Sequence, residues 1–468
     1  MTSKVITQRH GEKYGLKPSA EQVEQFKHYF EGSRAVYNYM TWVQTKIKSN
    51  ISDFFRLKDI AALCSYPAFL HLHILHMIFF CKPKKEDKEK AEFGHVEDIY
   101  QGYRYLFRND MSRLLTWLIK QENFKWLQSI GRDTLRGASD NVDKAMKAYC
   151  DKKRFNAKFP QYKRKSDKAS FLINCDGKEG AGKQFIKEDG KDYFLLKIKK
   201  KGSLKITYTQ HRKPRPFSGG DVVISRIANT YSISFATVQD KNVWIKDKDK
   251  HRIVGVDRNT KKLFALDDMY KGKCNVFEIS KDPKGVLITN KLTRRLKILQ
   301  KDLARKYQPN KKQYEQSNNY QKNKLAIQKM NLKIANLRKD RSHFISAQVA
   351  RKYDHVVIED LKLKNMTRSA KGTIEAPGKN VKAKSGLNRV ILNANLGQVS
   401  QFLAYKLKYK GKILEKVPPM NTSITCGQCG HIDKKNRVTQ ALFKCMKCGY
   451  NKDADFNAAG NIKDKSCL

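Results

Sequence analysis

The stretch His251–Asp268, HRIVGVDRNTKKLFALDD, decides the fold of the second half of the chain. Its apolar run Ile253–Val256 predicts a buried strand, Asn259–Thr260 supplies turn residues, and the residues that follow predict a second strand. Asp257 stands at the end of the first strand. A lone carboxylate is costly to bury there, so Asp257 indicates either a turn cap or a site that a cation completes.

The pattern after this hairpin favours an α/β core. Leucines at helical spacing over 292–303 and apolar residues over 327–337 predict two helices joined near Ser317–Asn319. The runs DHVVIEDL and KILEKV, starting at residues 354 and 412, predict short strands. Residues 365–387 are polar and rich in Gly and Lys, which predicts a mobile loop and a candidate lid. One further helix is predicted through the leucines from 392 to 403, ending near Gly411.

The first half of the chain has a different texture. A strand is predicted near Val5–Gln8, and helical patterning follows over about 19–152, with long helices through Trp42, Trp117 and Trp126. Short alternating runs then predict a small antiparallel barrel or sandwich; they are Ser170–Asn174, Asp192–Ile198, Leu204–Tyr208, Val222–Ile227 and Tyr231–Thr237.

Four of the ten cysteines form two CxxC pairs, Cys426/Cys429 and Cys445/Cys448. Two such pairs can place four thiolates tetrahedrally around Zn²⁺, and Gly430 and Gly449 permit the tight turn after each pair. Sulfur fills all four positions, so the spacing predicts a structural zinc site. A redox dithiol is the alternative. The other cysteines are scattered, which argues against a secreted disulfide scaffold and for a reducing compartment.

Three acids fall at the ends of predicted elements: Asp257 and Glu359 each end a strand, and Asp455 begins a helix. Carboxylates from separate elements that converge can bridge two Mg²⁺ ions, the arrangement of phosphoryl-transfer nucleases. Taken singly, each acid would more often cap a turn. The neighbouring Asp360 should face the other side of its strand, and Asp453 is a candidate helix cap.

The charge points to a polyanionic partner. The 468 residues contain 96 Lys+Arg against 45 Asp+Glu, a formal net charge of +51. Such an excess fits nucleic acid, because lysine and arginine displace counterions from phosphates. The most apolar run, Phe69–Cys81, carries three histidines and is too short to span a bilayer, so no membrane association is expected. Its His71, His73, His76 and Cys81 match no metal-ligand pattern.

Together these motifs resemble the split RuvC-type nuclease of the TnpB family, which comprises transposon-encoded RNA-guided nucleases and miniature type V CRISPR effectors. The resemblance rests on GVDRN ending at Asn259, VVIEDL around Glu359, the double CxxC, and DFNAA beginning at Asp455. YGLKP near the start, RAVYN from Arg34, FPQYK from Phe159 and NTS from Asn421 are also similar to it. Residues of about 50–110 match nothing in the family.

The resemblance implies a multidomain α+β and α/β protein. A β-barrel wedge domain (1–16 and 151–247) would be interrupted by a helical recognition domain (17–150). An RNase H-like, RuvC-type nuclease domain (248–418 and 450–468) would contain a zinc-binding insertion (419–449). Asp257, Glu359 and Asp455 would be the catalytic residues and would bind two Mg²⁺ ions. Cys426, Cys429, Cys445 and Cys448 would bind one structural Zn²⁺.

The implied function is that of an RNA-guided DNA endonuclease. It would bind a guide RNA, recognise a short flanking motif, form an RNA–DNA heteroduplex with target DNA and hydrolyse phosphodiesters by a two-metal mechanism. Arg437 could approach the scissile phosphate, although a surface role is the simpler interpretation. A monomer or homodimer in the prokaryotic cytosol or nucleoid is expected. Two alternatives stay open: an RNA-guided repressor without cleavage, and a guide-independent transposase or resolvase of RNase H fold.

Overall fold

The computed structural model describes residues 2–54, 108–151, 157–164, 168–175, 185–188, 190–198, 202–209, 220–245, 252–259, 262–268, 273–278, 288–312 and 315–466. The histidine-bearing run Phe69–Cys81, and with it the question of a metal site there, lies outside these ranges. The chain divides into two compact units, Arg9–Val238 and Met1–Gln8 with Gln239–Leu468. The sixfold division into domains stays a prediction.

A seven-stranded sheet has the order β2-β6-β7-β1-β5-β4-β3. Its strands are β1 Thr2–Lys17, β2 Ala169–Cys175, β3 Phe185–Glu188, β4 Lys191–Ile198, β5 Gly202–Thr209, β6 Gly220–Ile227 and β7 Thr230–Ile245. The five strands predicted between residues 170 and 237 are therefore confirmed. Strand β1 is longer than the predicted Val5–Gln8. In this order β2 and β3 stand at opposite edges, so closure into a barrel stays a prediction.

The helices of the unit Arg9–Val238 pack on this sheet. They are α1 Ala20–Phe54, α2 Arg108–Leu118 and α3 Arg132–Cys150. Phe26, Tyr29 and Phe30 of α1 are buried and meet Phe171 of β2 at ring-centroid distances of 5.0 to 5.7 Å, which agrees with the helical patterning predicted from about residue 19. The long helix predicted through Trp126 is wrong, because Trp126 lies in a short 3₁₀ helix, Glu122–Ser129.

The second unit is built on a five-stranded sheet with the order β10-β9-β8-β11-β12. Its strands are β8 Ile253–Arg258, β9 Lys262–Asp268, β10 Lys273–Glu278, β11 His355–Glu359 and β12 Ile413–Val417. The first three pair antiparallel, whereas β8, β11 and β12 are parallel to one another. The predicted hairpin and both later strands are confirmed, and the chain combines helices with mixed sheets as expected.

Helices cover both faces of this sheet. They are α4 Ile288–Lys306, α5 Asn318–Lys352, α6 Leu363–Met366, α7 Val381–Ala394, α8 Leu396–Lys408 and α9 Ala454–Asp464. Val356 and Ile358 of β11 pack in one cluster with α5 and α8, whereas Val357 packs with Ile462 of α9. Alternate residues of β11 therefore face opposite sides, as in any strand.

Two expectations about residues 365–403 are wrong. The predicted loop 365–387 contains the start of α7, whose Ile391 and Ala394 are buried at helical spacing. The single helix predicted through Leu392 and Leu396 is two helices, because Asn395 between them is left-handed at φ 56°. Asparagine tolerates this conformation, and its side chain donates to Ser342 Oγ at 3.0 Å.

The helix α9 lies directly on the backbone of β8. A Cβ added at Gly255 would stand 2.1 Å from the carbonyl oxygen of Ala459 and 2.6 Å from the amide nitrogen of Lys463. Only glycine permits so close an approach between a strand and a helix. Because side chains alternate along a strand, Asp257, two residues after Gly255, is on the face of β8 that α9 covers.

None of the helices in the ranges given above combines the length and the apolar character that crossing a bilayer requires.

We expect Gly255→Ala to destabilise the protein by about 1–3 kcal/mol or more, because backbone atoms of α9 would have to move. Thermal unfolding of the purified full chain measures the effect. Gly386→Ala is the matched control: Gly386 lies inside α7 with open space around its Cα, so that variant should be as stable as the original or slightly more so. Equal melting temperatures for the two variants would contradict the packing described.

Candidate functional site

Three elements of the second unit bring Asp257, Glu359 and Asp455 to one edge of the sheet. Asp257 lies near the end of β8 and Glu359 ends β11, and these parallel strands pair in register with Ile358 beside Val256. Asp455 is in the first turn of α9, which Asp453 caps by accepting hydrogen bonds from the amides of Asp455 and Phe456. The predicted cap is thus confirmed. All three acids belong to the side of the sheet that α9 covers.

The electrostatics of Asp257 reflect this convergence. Burial is the largest effect, and the charges of Asp455 and Glu359 add to it, raising the pKa of Asp257 to about 7. Near neutral pH the isolated protein therefore holds a proton on this carboxyl about half of the time. A bound cation would displace that proton, because it favours the ionised form.

Glu359 and Asp455 are each held by a neutral side chain. Thr422 Oγ1 donates to Glu359 Oε1 at 2.6 Å, and Asn259 Nδ2 donates to Asp455 Oδ2 at 2.5 Å. Neither bond neutralises a carboxylate. The two bonds therefore orient the acids while leaving their negative charge available to a ligand.

Two arginines lie at the same edge. Arg258 is buried and donates from Nη2 to the backbone carbonyl of Glu359 at 2.5 Å and from Nη1 to Ser400 Oγ, so it ties β8 to β11 and to α8. Arg437 Nη2 lies 3.7 Å from Asp455 Oδ1 and also donates to the carbonyl of Gln440. Arg437 thus contacts one of the three acids while 27% of its side chain remains exposed, and its approach to a scissile phosphate stays a prediction.

Asp360 is directed elsewhere. Its carboxylate pairs with Lys362 at 2.5 Å and Lys416 at 3.7 Å. The hydrogen bond from Lys362 holds the pKa of Asp360 below its ordinary value. Asp360 therefore forms a surface ion pair, whereas the preceding Glu359 belongs to the cluster of acids, because consecutive residues of an extended chain face opposite sides.

The four cysteines of the CxxC pairs form a second cluster. Their Sγ atoms all lie within 4.8 Å of one another, with 3.6 Å between Cys426 and Cys448 and between Cys429 and Cys445. Four sulfurs at about 2.3 Å from one tetrahedral ion would be about 3.8 Å apart, so the cluster could hold a metal ion such as zinc. Among the residues given above, only these four cysteines bring three or more ligand atoms that close together.

Backbone amides support the thiolate form in this cluster. Burial opposes the charge on Cys445, yet the amides of Cys448 and Lys447 point at its Sγ and the pKa falls to about 6. Burial raises the pKa of Cys426 to about 12. Gly430 and Gly449, both at φ 71°, allow the chain to turn back after each pair.

The sequence reasoning missed the residues that hold the acids. Arg258 and Asn259 directly follow Asp257, and Thr422 stands in the NTS run already noted, so the motifs contained them. Neutral hydrogen-bonding side chains occur throughout any sequence, and no spacing rule joins Thr422 to an acid more than 60 residues earlier. Only the folded arrangement shows these contacts.

Comparisons with known proteins agree with the motifs. A family model described as "Probable transposase" matches residues 239–370, and one described as "Cas12f1-like, TNB domain" matches residues 397–462. A relative from Escherichia coli (strain K12), "Putative RNA-guided DNA endonuclease InsQ", is 32% identical over 355 residues, covering 75% of this chain and 79% of that protein. "CRISPR-associated endodeoxyribonuclease Cas12f1" of Sulfoacidibacillus thermotolerans is 43% identical over 75 residues, 16% of this chain and 18% of that one. A solved Cas12f1-sgRNA-target DNA complex aligns at 16% identity and a TM-score of 0.29, over 97% of this chain and 99% of that chain.

We expect Asp257→Asn to stabilise the metal-free protein, because the amide is neutral where the buried carboxylate is not. The unfolded carboxyl ionises near pH 4, whereas the folded one ionises near pH 7. The wild-type protein therefore loses stability, relative to the variant, as pH rises from about 4 to 7, and the difference stays constant above that. Melting temperatures across this range, in buffer without added Mg²⁺, should show a gain of about 5 °C at pH 8.

Asp360→Asn is the control for this prediction. The Asp360 side chain is 39% exposed and paired with lysines, so its replacement should give no gain at any pH. If the melting temperatures of the wild-type protein and Asp257→Asn changed with pH in the same way, the raised pKa of Asp257 would be contradicted.

Proposed function

The chain belongs to the TnpB-like family of RNA-guided nucleases, and from that premise we propose that it is an RNA-guided DNA endonuclease. Its catalytic residues are Asp257, Glu359 and Asp455. The observation that carries this proposal is the convergence of three carboxylates from β8, β11 and α9, one of them buried with a pKa near 7. Strongly raised carboxyl pKa values are concentrated at functional sites, where burial and like charges are brought together.

We assign two Mg²⁺ ions to the three carboxylates. Hard carboxylate oxygens suit Mg²⁺, and Asp455 and Glu359 lie close enough to Asp257 for their charges to raise its pKa. Bound Mg²⁺ supplies an activated water and stabilises the leaving oxygen of a phosphodiester. We assign one structural Zn²⁺ to Cys426, Cys429, Cys445 and Cys448, since four thiols leave no open position for chemistry.

The protein's own groups prepare this centre. Thr422 and Asn259 orient Glu359 and Asp455, and Arg258 fixes the backbone of Glu359. Asp257 must lose its proton before a cation binds, so cleavage should need more Mg²⁺ below pH 7 than above it. Arg437, 3.7 Å from Asp455, brings a positive charge to the edge where a phosphate would lie. The sheet order, with an antiparallel hairpin followed by parallel strands, supports the RNase H-like assignment.

The partners follow from the charge and the family. A net charge of +51 suits a long guide RNA held with target DNA as a heteroduplex. The relative InsQ bears the name of an RNA-guided DNA endonuclease, and the shared region spans most of both chains. We infer that the protein acts in the prokaryotic cytosol or nucleoid, as a monomer or homodimer.

The test of this function begins with RNA. The full chain is expressed with its flanking genomic DNA and purified, and the co-purifying RNA is sequenced. We expect one discrete RNA species. With Mg²⁺ added, we expect the complex to cleave plasmids that contain a sequence matching the guide part of this RNA, tested in a library with random sequence beside the match. Glu359→Gln should bind the same RNA and DNA but cleave at least about a hundredfold more slowly.

Other outcomes would overturn the proposal. Cleavage without bound RNA would indicate a guide-independent nuclease, and RNA-dependent binding without cleavage would indicate a repressor. If Glu359→Gln cleaved DNA at the wild-type rate, the three acids would not be the catalytic residues.

The zinc assignment is tested by Cys445→Ser. Loss of one thiolate should reduce the bound zinc to near zero and unfold the segment between β12 and α9, because binding of such an ion is coupled to folding. Metal analysis and amide hydrogen exchange measure both effects. Cys150→Ser, at an exposed thiol of the other unit, is the control and should retain one zinc per chain. Full protection of residues 421–453 in zinc-free Cys445→Ser would contradict a structural role.

A further inference from the structure

The four cysteines lie in residues 419–449, which we call the zinc-binding segment. A hydrogen bond from Thr422 joins this segment to Glu359, one of the three acids. Thr422 stands four residues before Cys426, is 3% exposed, and donates from Oγ1 to Glu359 Oε1 at 2.6 Å. The carbonyl of Pro419 lies 3.1 Å from the same hydroxyl. The hydroxyl has one proton, and the bond to the charged carboxylate is shorter and stronger, so Glu359 is its acceptor.

Two asparagines of α9 fix the position of Thr422. Asn461 Nδ2 donates to the backbone carbonyls of Thr422 at 2.8 Å and Thr425 at 2.7 Å. Asn457 Nδ2 donates to the carbonyl of Thr425 at 2.8 Å, and its Oδ1 accepts from the amide of Gly427 at 3.0 Å. We call Asn457 and Asn461 the asparagine clasp.

The clasp couples three parts of the site. Gly427 lies inside the first CxxC pair, and Asp455 is two residues before Asn457 on the same helix. Asn457 and Asn461 are 0% and 5% exposed, so their bonds are shielded from water and well defined. A shift of the CxxC segment would therefore move Thr422 relative to Glu359.

We propose that Thr422 is a positioning residue that orients the Glu359 carboxylate for Mg²⁺, and that the zinc-binding segment sets its position through the asparagine clasp. The inference rests on the proposed function. Thr422 engages Oε1 of Glu359 and so would fix the orientation of the whole carboxylate, whose oxygens keep lone pairs with which they would hold a cation. Loss of the hydroxyl leaves the Glu359 carboxylate free to rotate, and metal affinity falls while the charge stays unchanged.

The test uses Thr422→Val, which keeps the shape of the side chain and removes the hydroxyl. Site occupancy is measured without cleavage of DNA: Fe²⁺ with ascorbate and peroxide cuts the polypeptide near a bound ion, and added Mg²⁺ suppresses the cuts by competition. In the purified complex with its co-purifying RNA, fragments should end near residues 257, 359 and 455. We expect Thr422→Val to need about tenfold more Mg²⁺ for half suppression, with a matching shift in the Mg²⁺ dependence of DNA cleavage.

Two variants calibrate this result. Thr422→Ser restores a hydroxyl and should recover most of the Mg²⁺ affinity. Thr439→Val makes the same chemical change in the zinc-binding segment, where the hydroxyl accepts from the amides of Ala441 and Leu442 rather than contacting an acid. Its Mg²⁺ dependence should equal that of the wild-type protein, and all variants should retain one zinc per chain.

A double-mutant cycle tests the role of the clasp. If Asn461 acts on Glu359 through Thr422, then Asn461→Ala should weaken Mg²⁺ binding. The double variant that also carries Thr422→Val should then bind Mg²⁺ with the same affinity as the weaker-binding single variant. Additive losses would show that Asn461 acts by another route and would overturn the coupling.

The failures of the two proposals look different. Absence of fragments near the carboxylates in the wild-type complex would refute the metal centre itself. Fragments in the wild-type complex with an unchanged Mg²⁺ requirement in zinc-loaded Thr422→Val would overturn the positioning role alone. Loss of zinc from Thr422→Val would also overturn it, since the residue would then act by holding the zinc-binding segment together.

Discussion

The candidate centre depends on one close contact, in which the backbone of α9 lies on the backbone of β8 at Gly255. A side chain at that position would overlap the carbonyl oxygen of Ala459. The contact holds the middle and the last turns of α9 against β8, and Asp455 is in the first turn of the same helix, on the side of the sheet to which Asp257 belongs. The parallel pairing of β8 and β11 then adds Glu359. The close packing of α9 on β8, two elements far apart in the sequence, therefore depends on glycine at position 255.

This arrangement is costly in the absence of a ligand. Three acids share an edge of the sheet, and burial with mutual repulsion raises the pKa of Asp257 to about 7. The surrounding chain is strongly basic, yet the groups that contact Glu359 and Asp455 most closely are a threonine and an asparagine. Direct neutralisation by lysine would stabilise the fold and remove the charge that a cation needs. The neutral partners therefore leave the proposed Mg²⁺ ligands charged, at a cost in stability.

Much of this organisation could be predicted from the sequence. Short apolar runs predicted β8, β11 and β12, and the spacing of Cys426, Cys429, Cys445 and Cys448 predicted the thiol cluster, because both patterns reflect local geometry. The break at Asn395 was missed, since leucine spacing continues through it and only the left-handed backbone interrupts the helix. Thr422 and the asparagine clasp were missed because a neutral hydrogen bond between distant residues leaves no periodic signal. The contact of Arg437 with Asp455 depends on how the inserted segment folds back.

The order of the elements also matters for synthesis. Asp257, Glu359 and Asp455 are separated by roughly a hundred residues each, so two long loops must close before they meet. During translation β8 and β11 emerge first, and α9 emerges only after the zinc-binding segment. A ribosome-bound nascent chain therefore holds two of the acids without the third. The cluster of three acids is therefore completed only after the segment with the CxxC pairs has been synthesised.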